Sequence, residues 1–277
     1  MGERTYRQMV RQSGQPLPRI VAIGAGNVAS HLIPALESAG IGEVTQVYSR
    51  TMRSARALAS RLWSAVPVDN PDEIAKDADI YIVSVADHAA AELLSRLTPN
   101  NALWLHTSGS LPLESLAHLS KKTGVLYPLQ TFSRQVPLDM SRVPLFIEGS
   151  TPGVEAQIRD MGQRVFSKVY HADSTLRRKM HVAAVFACNF TNHLWTIADD
   201  LLRREGLDLS VLHPLLDETL RKAVTSPDGP SAGQTGPAVR DDRAVMQAHQ
   251  SMLPSELAGI YSMLSESIHK RHTHEQD

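Results

Sequence analysis

The sequence holds a single cysteine, Cys188, in 277 residues. An internal disulfide is therefore excluded, which points to a reducing compartment, and a cytoplasmic setting is the expectation. Charge of one sign is missing too: 28 Lys and Arg stand against 29 Asp and Glu, a formal net charge of −1. A general binder of nucleic acid or of a membrane surface needs a basic excess, so neither partner is expected. No run of roughly 18 apolar residues occurs, which removes a membrane span. Residues 1–19 carry Arg4, Arg7, Arg11 and Pro16 without an apolar stretch. They read as a short arm or an appended remnant and not as a secretory signal. Cys-x-x-Cys, His-Glu-x-x-His and Walker-type strings are absent, which takes zinc hydrolases and P-loop enzymes out of consideration.

What is present is a pattern that changes once. Short apolar runs at 19–23, 44–48, 65–68, 80–85, 103–107, 124–127, 145–148 and 165–170 read as strands. Segments of helical spacing lie between them, at 28–39, 52–62, 71–76, 88–97, 112–121 and 155–163. Strand–helix alternation with continuously apolar strands implies an α/β, doubly wound parallel sheet covered on both faces. From residue 174 strand signals fade and an all-α region follows. A long helix is expected over 174–204, capped by Asp173 or Ser174 and ended by Gly206, with further helices at 209–223, 242–251 and 255–269. The expected division is a dinucleotide-binding domain at 19–171 and a helical domain at 172–270, with a polar, disordered tail from His269.

The first strand runs into Gly24-Ala25-Gly26-Asn27-Val28-Ala29, which has the form G-x-G-x-x-A. Gly24 permits a tight turn, Gly26 lets a pyrophosphate approach the backbone, and Ala29 allows close helix–strand packing. The helix N-terminus offers free N–H groups and partial positive charge to phosphates. A merely structural turn is the alternative, and the position after the first strand of a βαβ pattern favours the dinucleotide. NAD enzymes place an Asp or Glu at the end of the second strand to hold the ribose 2′-hydroxyl. Here Ser49-Arg50-Thr51-Met52-Arg53 follows instead. Two hydroxyls and two guanidiniums suit a 2′-phosphate that a carboxylate would repel, so NADP is the expected cofactor. The plain alternative is a Ser or Thr helix cap with surface arginines.

Two further strand ends point at the same crevice: Ser84-Val85-Ala86-Asp87-His88 and His106-Thr107-Ser108-Gly109-Ser110. Val85 and Ala86 would border the nicotinamide, Ala86 being small enough to lie beside a flat ring. His106 and Ser108 are site candidates, whereas Asp87 and Ser110 read as helix caps.

These strings, with Tyr127-Pro128-Leu129-Gln130-Thr131-Phe132, Ala187-Cys188-Asn189-Phe190 and Gly236-Pro237-Ala238-Val239-Arg240-Asp241-Asp242, resemble the Rossmann-like NADP oxidoreductases that carry a C-terminal helical domain of unknown function. More distantly the layout is similar to pyrroline-5-carboxylate reductase, the deazaflavin-dependent NADP reductases and the β-hydroxyacid dehydrogenases. The resemblance covers about 19–269. It implies that the helical domain forms the substrate pocket and often a dimer, and a homodimer is expected here also because the helix faces look too apolar for solvent. The family usually has His where this chain has Tyr127, which sets that position apart.

Hydride transfer to or from a carbonyl or imine needs a proton donor or acceptor near the reacting group. The Lys and Asn that β-hydroxyacid dehydrogenases use one helical turn apart are not both present: Lys179 is followed at i+4 by Ala183. At about 100° per residue, His181, Cys188 and Asn192 fall within roughly 40° of one another on the long helix, flanked by Asn189 and His193. His181 and Asn189 are the candidate catalytic residues, against the alternative of core groups bonded to backbone. Cys188 reads as a buried apolar residue. Gln130 is placed to reach the carboxamide or substrate. The loop 226–242, with Gly236, Pro237 and Arg240, is either a cover for the site or a linker. No metal site is expected, since His269, His272 and His274 sit in the tail. The reading is an NADP-dependent oxidoreductase acting on a small carbonyl or imine, the alternative being a sensor that binds NADP(H) without turnover.

Overall fold

The structure is a computed structural model and describes residues 16–274; the arm at 1–15 and residues 275–277 lie outside them. Eight strands form one sheet: β1 (Arg19–Ile23), β2 (Glu43–Tyr48), β3 (Val66–Val68), β4 (Ile80–Val83), β5 (Leu103–His106), β6 (Lys122–Pro128), β7 (Pro144–Gly149) and β8 (Lys168–His171). Their order is β3-β2-β1-β4-β5-β6-β7-β8. β1 to β6 run parallel, so the chain reverses its winding between β1 and β4 and opens a crevice at the strands' carboxyl ends. All eight expected strands form. The expected doubly wound parallel sheet forms, with one reversal at an edge: β7 is antiparallel to β6, and β8 is parallel to β7. A parallel return needs a crossover element, usually a helix. Residues 129–143, with Pro137, contain only the single 3₁₀ turn Met140–Arg142.

Alternate residues of the central strands feed two separate cores. Ile20 and Ala22 join α1 (Asn27–Ser38), α2 (Met52–Ala59) and α4 (Pro152–Gln163) on one face. Val21 and Ile23 join α3 (Asp87–Ser95) on the other, where Tyr81 stacks on Trp104 at 4.1 Å. Two-sided burial explains why these strands read as unbroken apolar runs. Two expected helices are shorter than their spacing suggested. Residues 71–76 and 112–121 contain only the 3₁₀ turns Pro71–Glu73 and Leu113–Leu116. Each carries proline at or beside its first residue and closes within one turn.

The chain divides into two compact units, 1–192 and 193–277. The first unit contains the sheet and also α5 (Ser174–Ala184) with the π-turn Val185–Phe190 that continues it. The expected uninterrupted helix over 174–204 is therefore corrected: a wider turn separates α5 from α6 (Thr191–Arg203). Asp173 caps α5, accepting from Leu176 N–H at 2.7 Å. Beyond residue 192 lie the rest of α6, then α7 (His213–Thr225), α8 (Arg243–Ser251) and α9 (Ser255–His274). Gly206 takes φ +75° after α6, as a left-handed helix end favours glycine. His249 Nδ1 lies 2.9 Å from the Tyr261 hydroxyl and joins α8 to α9. The expected disordered tail is helical as far as His274, which corrects that reading from His269 onward.

Candidate functional site

Gly24 and Gly26 are small for different reasons. Gly24 has φ +110°, and a Cβ there would lie 2.2 Å from the Ser84 carbonyl oxygen. The fold itself therefore requires glycine at this turn. Gly26 is extended, with φ −77° and ψ −168°, and a Cβ on it would meet nothing nearer than 3.9 Å. The fold leaves that space open, so packing within the protein does not require glycine there. Gly26 also heads α1 without a side-chain cap, so the helix's first amide N–H groups are offered outward.

A cavity of about 510 Å³ extends from this loop across the ends of β1 and β2. Gly24, Ala25, Gly26, Ser49, Arg50, Thr51, Val85 and Ala86 of the expected cofactor set line it, whereas Arg53 does not. Thr51 also caps α2, accepting from Ser54 N–H at 3.4 Å, so the plain capping role and the lining role coincide. Arg134, on the loop after β6, lines the same cavity and donates to the Ala25 carbonyl oxygen. That loop is held by His31, whose Nε2 lies 2.9 Å from the Ser133 carbonyl oxygen. Arg96 lines it as well and pairs with Asp72 at 3.1 Å, while Asp69 and Glu92 supply carboxylates. Arg134, Arg96 and Asp69 are distant in sequence from the glycines, and nothing local marks them.

A second cavity of about 760 Å³ shares Gly26, Ser84, Val85 and Ala86 with the first. Asn27, Val28, Ser108, His181 and Asn189 of the expected residues line it, as do Asp87, Tyr127, Gln130, Phe132 and Cys188. The Tyr127 hydroxyl lies 3.1 Å from Nδ1 of His181. Gly109 makes room for the pair: a Cβ there would be 2.9 Å from both His181 Nδ1 and the Tyr127 hydroxyl oxygen. Burial pushes the Tyr127 phenol up, with Asp87 adding to the rise and Arg177 opposing it. The hydroxyl thus keeps its proton at neutral pH. Cys188 is exposed and faces this cavity, which corrects the expectation of a buried residue. The π-turn changes the helical phase, so Asn189 comes to the lining and Asn192 and His193 do not.

α5 is fixed by Arg177, whose side chain is fully buried. Its guanidinium donates to Glu148 at 2.7 Å, to the Leu111 carbonyl at 2.7 Å and to Ser174 Oγ at 3.2 Å. Ser174 in turn donates to Glu148 and accepts from Leu113 N–H, so β7, α5 and the loop after β5 meet at one point. His106, a site candidate by its position at a strand end, lies in the core and lines neither cavity. Its Nδ1 accepts from Ser108 N–H at 3.2 Å. Its Nε2 is buried facing the Pro112 carbonyl without a hydrogen bond of normal geometry. Burial, helped by Arg177, pulls its pKa down to about 4. The Ser108 hydroxyl accepts from Ser110 N–H and Leu111 N–H, each at 3.0 Å, and so shapes the loop. Asp87 and Ser110 do not cap helices as expected. Ala86 heads α3, and the Ser110 hydroxyl donates to the Asp87 carboxylate.

Residues 19–104 match the family model described as NADP oxidoreductase, coenzyme F420-dependent, and residues 143–268 match a domain of unknown function, DUF2520. The comparison with curated proteins gives no match. Among solved structures, a Bacteroides fragilis protein named as a candidate NADP oxidoreductase is 41% identical over 92% of this chain and 98% of its own, with a TM-score of 0.85. An Aspergillus terreus reductive aminase, solved with NADPH and ethyl-5-oxohexanoate, is 16% identical over 92% of this chain and 94% of its own, with a TM-score of 0.65. A Coxiella burnetii pyrroline-5-carboxylate reductase is 14% identical over 93% and 98%, with a TM-score of 0.52. The latter two share the fold. The chain belongs to the NADP oxidoreductase family that joins a Rossmann-type domain to a C-terminal helical domain of unknown function, with NADP as its cofactor.

Proposed function

We propose that the protein transfers a hydride between NADP(H) and a small carbonyl or imine substrate held in the larger cavity. The observation that carries this reading is that the two cavities share walls. A groove with a glycine turn and an uncapped helix end has Gly26, Ser84, Val85 and Ala86 in common with a chamber holding a tyrosine–histidine pair. The residues present fit the cofactor. The open space at Gly26 and the amides of α1 suit a pyrophosphate, and Arg50 with Ser49 and Thr51 suits a 2′-phosphate. Arg53, which lines no cavity, would add only positive field. Bound NADPH supplies the hydride.

The protein's own contribution is the proton and the orientation. The Tyr127 hydroxyl, kept protonated by burial, is placed to donate to the substrate heteroatom, and His181 is placed to restore that proton. Asn189 is placed to orient the same heteroatom by hydrogen bonding, and Ser108 to hold the loop beside it. The region 172–270 is assigned to pocket formation and homodimerisation. Exposed Leu220 and Val224, one turn apart on α7, support a covered helical face in the assembled protein. A cytoplasmic location follows the single cysteine.

A second reading, a sensor that binds NADP(H) without turnover, is favoured by one observation: Lys179 lines neither cavity, so no lysine stands at the chamber. Oxidation of NADPH measured against a panel of imines, ketones and 2-oxo acids separates the two. Turnover of any member, reduced by His181→Ala, supports the enzyme. Binding of NADPH with turnover of none supports the sensor.

A further inference from the structure

We propose that the chamber selects a substrate bearing a cationic nitrogen, a protonated amine or the iminium related to it, and rejects carboxylates. The inference rests on the reading of the larger cavity as the substrate site. Among the described residues that line it, neither lysine nor arginine occurs, and the aspartate Asp87 is the side chain with a full formal charge. Arg50, Arg96 and Arg134, which would attract a carboxylate, line the smaller cavity instead. The separation of charge is thus spatial: three arginines, with Asp69 and Glu92, where phosphates are expected, and Asp87 alone where the substrate is expected.

Asp87 sits in the first turn of α3. The Ser110 hydroxyl donates to Oδ2 and fixes the carboxylate against the loop after β5. At the Tyr127 phenol its field opposes ionisation, and the buried Arg177, which is not in the lining, acts there more strongly in the opposite sense. Tyr127 and Phe132 add aromatic faces, which attract cations and offer nothing to a carboxylate. A substrate carboxylate would meet Asp87 with no lysine or arginine in the lining to pair with, and would lose its hydration without replacement.

The test uses matched ligands that differ in charge. Cyclohexylmethylamine and cyclohexylacetate are titrated by calorimetry into the full-length protein saturated with NADP⁺, at about pH 8 where free imidazole is neutral. The amine is expected to bind at least about tenfold more tightly than the carboxylate, and Asp87→Asn to shrink that preference to within about twofold. Asparagine retains an oxygen for Ser110, so the loop keeps its anchor; Asp87→Ser is the second form of the variant. Equal or tighter binding of the carboxylate overturns the proposal. So does a preference that survives both substitutions, or an amine that does not bind. NADP⁺ is titrated first, and its failure to bind would count against the cofactor groove alone. The amine–carboxylate comparison is then read on the protein without nucleotide, where the same outcomes apply.

Discussion

The Tyr127 hydroxyl lies 3.1 Å from Nδ1 of His181, and Gly109 is the residue whose missing side chain lets them meet. A methyl group at Gly109 would stand 2.9 Å from both atoms, so Gly109→Ala must displace one of them. Misplacing a catalytic group by about 1 Å can cost on the order of 100-fold in rate. Gly109→Ala is therefore expected to lower turnover at least about tenfold while changing NADPH affinity less than about twofold. Tyr127→Phe should do the same and should abolish the effect of His181→Ala when the two are combined. Steady-state kinetics with calorimetric NADPH titration checks both, and additive losses would show that the two residues act separately.

The two glycines of the cofactor loop should part company on substitution. Gly24→Ala places a side chain at φ +110° and 2.2 Å from the Ser84 carbonyl oxygen. A loss of at least about 2 kcal/mol of folding stability is expected. Gly26→Ala meets nothing within 3.9 Å. It should cost less than about 1 kcal/mol in the free protein, yet weaken NADPH by about tenfold or more through its Cβ. Chemical denaturation set beside NADPH titration gives both numbers for each variant.

Arg177 and Glu148 set the position of α5. Arg177→Ala would leave the Glu148 carboxylate without its countercharge and the Leu111 carbonyl without this donor, and a loss of about 3–5 kcal/mol is expected. Glu148→Gln, which keeps an acceptor for the guanidinium, should cost less. Urea unfolding of the two variants tests this order. A reversed order would mean that a buried guanidinium without its counter-ion costs more than the loss of the arginine itself.

Acid should destabilise the sheet domain through His106. The folded pKa is depressed to about 4 from the ordinary 6.5. Below pH 6.5 the unfolded chain gains a proton that folded His106 does not take up. Stability is therefore fully present above the ordinary pKa and falls as pH drops through 6.5 toward 4, by up to about 3 kcal/mol. Folding free energies of the wild type and His106→Gln, measured across this range, should converge toward low pH. Parallel curves would show that His106 is not the group responsible.

The parts of the molecule that were legible in the sequence are those whose signal is local. The central strands β1, β4 and β5 are apolar runs, and Gly24 to Ala29 is a contiguous string whose meaning depends only on the strand before it. Strand direction is not local: nothing in 144–149 or 168–171 distinguishes β7 and β8 running back from running forward. The π-turn at Val185–Phe190 was equally hidden, because helical and π spacing differ by less than one residue over a single turn. That hidden turn is why the stripe of His181, Cys188 and Asn192 was misjudged at Asn192. Arg134 reaches the smaller cavity from a loop more than a hundred residues beyond the glycines, a closure that the sheet order explains. His106 shows the opposite error. A strand-end position suggested a site residue, but its side chain points into the core instead of the crevice.

The central claim, that the groove holds NADP through a 2′-phosphate at the end of β2, is tested most directly by calorimetric titration of NADPH and NADH into the wild type and Arg50→Ala. The wild type should prefer NADPH. Arg50→Ala should weaken NADPH by about tenfold or more while leaving NADH within about twofold, as expected for loss of a guanidinium–phosphate contact. Equal losses for the two nucleotides, or a wild type that binds NADH as tightly as NADPH, would contradict the assignment.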